Sequence, residues 1–138
     1  MSDVHGTAVE LAGVGVLLRG TSGSGKSDLA LRLIDGGALL VADDRTLLRR
    51  EGGLLLASAP PTIAGRLEVR GIGILTVPSV ASSVLRLVVD LVAPGAVERL
   101  PEARFARLLG LDLPLISLAP FEASAVAKLR LAARTHAG

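Results

Sequence analysis

At 138 residues the chain has the length of one domain, residues 1–138, with a core of its own. Half of it is apolar, yet it holds two Phe and no Trp, Tyr or Cys, so the core is predicted to be aliphatic, and disulfides and thiolate metal sites are excluded. A net charge of +2 with a pI of about 9.9 reflects scattered arginines. With so few rings to stack on bases, that pattern counts against a nucleic-acid partner.

Arg86, Asp90 and Asp112 interrupt the longest apolar stretches, so no segment reaches the roughly 18 residues of a membrane span. Met1–His5 has neither a basic nor an apolar signal-peptide region, and the expected location is cytoplasmic, with no membrane partner. Val14–Leu18 reads as a buried strand. Gly20-Thr21-Ser22-Gly23-Ser24-Gly25-Lys26-Ser27 follows, the pattern G-x-x-x-x-G-K-[ST]. Its glycines let backbone N–H groups turn inward around phosphate oxygens, Lys26 reaches the β- and γ-phosphates, and the Ser27 hydroxyl ligates Mg²⁺. Ser27–Ile34 is predicted to be an amphipathic helix closed by Gly36-Gly37, and its N-terminus adds further donors to the anion site. A glycine-rich loop alone is often a mere turn. A strand before it, Lys-Ser at its end and a helix after it make a nucleotide or polyphosphate site.

Ala38–Ala42 reads as a strand ending in Asp43-Asp44. Thr46–Arg50 and Leu54–Ser58 form a hairpin around Glu51-Gly52-Gly53. Leu67–Arg70 and Ile72–Val77 are short strands, Leu85–Val92 a longer one. Pro101–Leu109 is expected to be a helix ended by Gly110, Leu113–Leu118 a strand, and Glu122–Ala133 an Ala-rich helix. The excess of strands predicts an α/β P-loop domain with a mixed, strand-rich sheet, not a regular βαβαβ array.

A phosphate loop needs acidic partners for metal and nucleophile. Asp90, after Leu87-Val88-Val89, has the form of a distal Walker B carboxylate. Asp43 and Asp44 have the same form one helix after the loop. Adjacent carboxylates at a strand end repel unless a metal or cation offsets them, so the tandem is the more telling signal. If Asp90 were the working carboxylate, the chain would be a small-molecule P-loop kinase or plain NTPase. Without catalysis it would be a nucleotide-sensing module. In Glu68-Val69-Arg70-Gly71-Ile72-Gly73, strand alternation places Glu68 and Arg70 on one face. A surface ion pair beside a turn is the alternative.

His5-Gly6-Thr7, the loop Gly20–Ser27, Leu40-Val41-Ala42-Asp43-Asp44 and Leu67–Ile74 occur in this order, and from Val4 to Pro78 the chain resembles the catalytic domain of HPr kinase/phosphorylase. The resemblance implies a bacterial cytosolic enzyme that phosphorylates a serine of HPr, or an HPr-like carrier of the phosphotransferase system, with Mg²⁺ and ATP. Pyrophosphate replaces ATP in some members, and inorganic phosphate reverses the reaction. It also implies a fold similar to phosphoenolpyruvate carboxykinase and a homo-oligomer, usually a hexamer.

Carried over by position, Lys26 would neutralise the transferring phosphate, Asp43 would take the serine proton, and Ser27, Asp44 and Glu68 would hold metal. His5 matches a histidine near the phosphates; without the resemblance it reads as part of a disordered tail. Arg70 and Arg99 are carried over as substrate or phosphate contacts, Arg99 by a faint match. The sequence begins almost at the histidine, so a form without the N-terminal domain of longer members is expected. Thr76 stands where the family commonly has Asn or Asp. Ala119–Ser124 lacks the Arg-rich segment that bears on docking and assembly, and the resemblance stops short of it.

Overall fold

The computed structural model describes residues 1–137. The main sheet has nine strands: β1 (Ser2–His5), β2 (Thr7–Leu11), β3 (Val14–Arg19), β4 (Leu39–Ala42), β5 (Arg45–Glu51), β6 (Leu54–Ser58), β9 (Ser82–Leu91), β10 (Arg104–Leu108) and β11 (Leu111–Leu118). β7 (Arg66–Val69) and β8 (Gly73–Thr76) make a separate hairpin. Helices α1 (Lys26–Asp35) and α2 (Ala125–Thr135) complete the chain. The strand-rich α/β architecture expected from the sequence is the one observed.

The strands run in the order β1-β5-β6-β9-β3-β2-β4, with β11 joined to β9 and β10 to β11. β2 is antiparallel to both β3 and β4, whereas β3, β9 and β11 are mutually parallel. The C-terminal ends of β3, β4, β9 and β11 therefore emerge on one edge, where open α/β sheets place their ligands. The phosphate loop and Asp43-Asp44 both lie there.

α1 buries Lys26, Leu29, Ala30, Leu33 and Ile34, the spacing of a helix with one face inward. These residues join Val16, Leu18, Leu87, Val89 and, from α2, Ala125, Leu129 and Ala133 in one aliphatic cluster. A second cluster of Ala8, Leu17, Val41, Leu48, Leu55, Ala57 and Leu85 fills the other face, under the curl of β1, β5 and β6. Each fully buried Leu contributes about 1.5–3 kcal/mol relative to exposure.

Three expectations need correction. Pro101–Leu109 is not a helix: Arg104–Leu108 is β10, paired antiparallel with β11. Along it Ala106 is buried between exposed Phe105 and Arg107, a period of two. Leu109 (φ 48°) and Gly110 (φ 81°) form the two-residue hairpin turn, so Gly110 ends a strand. The alternative that His5, without the resemblance, belongs to a disordered tail does not hold; β1 pairs with β5, His5 opposite Arg45, and Arg45 binds Asp3. Arg70 lies in the turn beyond β7, so it does not share a strand face with Glu68.

Candidate active site

The phosphate loop leaves β3 at Gly20 and enters α1 at Lys26. Ser24 N donates to Thr21 O at 3.0 Å, closing a turn, and Gly25 caps the helix at φ 102°, a conformation that Cβ-bearing residues rarely adopt. Lys26 is 5% exposed; its Nζ donates to Gly20 O (2.8 Å) and Thr21 O (3.1 Å), which holds the ammonium across the mouth of the loop.

Asp43 and Asp44 leave β4 in opposite circumstances. Asp43 is 8% exposed and accepts from Ser27 Oγ (2.7 Å), Thr7 Oγ1 (3.2 Å) and the Glu68 backbone N–H (3.1 Å). All three partners are donors, as an ionised carboxylate requires. The side chain of Asp44 is 60% exposed, with Oδ1 2.8 Å from His5 Nε2 and 4.0 Å from Lys26 Nζ. Its φ of 64° turns it out of the strand line, a left-handed conformation that Asp tolerates better than most residues. Gly6 N donating to Asp44 O (2.8 Å) and Asp44 N donating to Thr7 Oγ1 (3.0 Å) hold it there.

The buried aspartate touches the loop serine, and the exposed one faces the ammonium and the open side of the site. Thr7, wholly buried, has no role assigned from the sequence; its hydroxyl donates to the Asp43 carboxylate and accepts from the Asp44 backbone N–H. Its signals in the sequence are its place in the His5-Gly6-Thr7 motif and a hydroxyl ahead of an apolar run.

The other expected site residues divide. Glu68 reaches the site through its backbone, and its side chain is exposed. Arg70 and Arg99 are exposed in turns, and among the described residues neither enters an ion pair. Asp90 is bound to Arg19 through two contacts, 2.8 and 3.2 Å, on the strand next to β3; Ser27 bonds to Asp43 instead. Among the described residues no three His or carboxylate side chains converge on a metal position. Mg²⁺ commonly takes one or two protein oxygens and completes its shell with water and substrate phosphates, and Ser27 with Asp43 fits that demand.

Strand, loop and helix, with a carboxylate from the end of β4 on the loop serine, make a P-loop arrangement on a strand-rich α/β fold. Residues 1–129 match the HPr Serine kinase C-terminal domain family, and the chain belongs to it. It is 37% identical over 126 residues to the HPr kinase/phosphorylase of Prosthecochloris aestuarii, covering 83% of this chain and 37% of that protein. The HPr kinase/phosphorylase of Peptoclostridium acidaminophilum is 40% identical over 119 residues, covering 83% and 38%. The chain thus spans little more than a third of the length of these relatives. Among solved structures, the Hpr(Ser) kinase/phosphatase from Coxiella burnetii superimposes with a TM-score of 0.88 at 29% identity, covering 99% of this chain and 96% of that one.

Proposed function

We propose that the domain transfers the γ-phosphoryl group of ATP to a serine hydroxyl of HPr or an HPr-like carrier, and that inorganic phosphate reverses the transfer at the same site. The names of the relatives support the substrate. The observation that carries the chemistry is the division of the two aspartates: Asp43 on Ser27 inside, Asp44 beside Lys26 and open to an incoming hydroxyl.

Phosphoryl transfer asks for positioning and charge neutralisation more than covalent chemistry. The loop N–H groups and Lys26 hold the donor phosphates. Asp44 accepts the serine proton as the serine oxygen bonds to γ-phosphorus and the bond to the β-bridging oxygen breaks, releasing ADP. In reverse, protonated Asp44 returns the proton to the departing serine oxygen while a phosphate oxygen attacks, forming pyrophosphate. His5, hydrogen-bonded to Asp44, orients that carboxylate. Mg²⁺ bound with ATP, held by Ser27 and Asp43 with Glu68 at its edge, would neutralise charge on the β- and γ-oxygens.

Incubation with Mg²⁺, γ-labelled ATP and HPr of the same organism tests this, with a Ser→Ala HPr control. Label on wild-type HPr only, and a loss of at least about a hundredfold in rate for Asp44→Asn, in the range of general-base catalysis, is the expected result. Asp43→Asn should weaken use of the Mg²⁺ complex more than it slows proton transfer. If Asp90→Asn alone abolishes transfer, the site has been misassigned.

A further inference from the structure

The chain has two aromatic side chains, and neither is in the core. Phe121 is 70% exposed and Phe105 62%. Phe121 follows β11 and lies on the phosphate loop itself: a Cβ on Gly25 would come within 2.9 Å of Phe121 Cζ and 3.2 Å of Pro120 Cγ. The backbone beneath the ring is fixed. Arg32 of α1 donates to Pro120 O, Ala119 and Pro120 are buried, and Val92 N donates to Leu118 O at 3.0 Å.

Beside the ring opens a cleft of about 400 Å³ lined by Thr21, Ser24, Val92, Pro94, Pro120 and Phe121. Its size is that of a small-molecule pocket, and its apolar walls suit a ring, not a phosphate. Ser24 Oγ, buried on the loop side, is the one buried side-chain polar atom among the described residues that lacks a hydrogen-bond partner. A polar ligand would offset that cost. The placement is directional. With strand order β4-β2-β3-β9-β11, Asp43-Asp44 lie to one side of the phosphate loop and the cleft, after β9 and β11, to the other. A polyphosphate laid along the loop with its reactive end at Asp44 carries its other end into the cleft.

We infer that this cleft is the nucleobase subsite of the phosphoryl donor, with Phe121 as its stacking residue. The inference rests on the reading of the loop as a nucleotide site and adds what separates ATP from pyrophosphate as donors. Because a π-face stacks on any base, recognition here is by ring area, and discrimination between purines is small.

The test is calorimetric binding of Mg·ADP and Mg·pyrophosphate to wild-type and Phe121→Ala protein. Loss of about tenfold or more in ADP affinity is expected, the range of one base–aromatic stack, with pyrophosphate affinity retained. Phe121→Trp gives the protein its only Trp, and its fluorescence should respond to ADP and not to pyrophosphate. Equal weakening of both ligands would show that the ring props the loop, and no weakening of either would place it outside the site; each overturns the inference while the phosphate site stands. A wild-type protein that binds neither ligand would overturn both.

Discussion

A single hydroxyl, that of Thr7, connects the buried and exposed members of the aspartate pair. It donates to Asp43 and accepts from the Asp44 N–H, so its removal leaves a buried carboxylate one donor short and an N–H unpaired. Thr7→Val keeps the shape and deletes the hydroxyl. An unmet buried partner costs about 1–3 kcal/mol, which should appear as a lowered urea midpoint together with slower phosphoryl transfer. Thr7→Ser should recover most of both; failure of the serine variant to do so would point to the methyl group instead. The loop itself was legible because its glycines, Lys26 and Ser27 are contiguous, and local chemistry sets their geometry. Thr7 was not, because its role depends on the pairing of Ala8 with Ala42 across strands far apart in sequence. The same distance hid which aspartate faces inward.

At the scale of elements, misreading arose where short segments carry few apolar residues. β10 has one buried position, Ala106, so neither period is strong in the sequence, and its pairing with β11 decides its form. β2 went unread for the opposite reason: a central strand is buried on both faces, so Thr7–Leu11 has no alternation to see. The β10–β11 turn yields a test. Its two central residues both have positive φ, and the first is Leu109, for which a left-handed conformation costs about 1–2 kcal/mol. Asn-Gly is the preferred pair for this turn. Leu109→Asn should therefore raise stability by roughly 1 kcal/mol, read as a higher urea midpoint at unchanged slope. The Arg50 contact should survive, since it uses the backbone carbonyl of Leu109. An unchanged or lower midpoint would mean that the leucine side chain contributes more than its backbone costs.

For the whole molecule the decisive strand is β9, which borders β6 and β11 on one side and β3 on the other. Gly15 pairs with Leu85 and Val16 with Leu87, so Arg86 is an extra residue in β9. Without that bulge, residues two apart would face the same way. With it, Leu85 enters the cluster under β1, β5 and β6, and Leu87 enters the cluster under the helices. One strand thus ties the two cores together and fixes the edge from which the phosphate loop, Asp43-Asp44 and the Phe121 loop emerge. Leu85→Ala and Leu87→Ala should each cost about 2–5 kcal/mol, and each should shift a single unfolding transition. Far-ultraviolet circular dichroism and ADP binding followed along the same urea series should then give coincident midpoints for both variants. If Leu85→Ala instead melted the β1-β5-β6 side first and left ADP binding intact, the cores would be independent units, and the site would owe its geometry to the helical side alone.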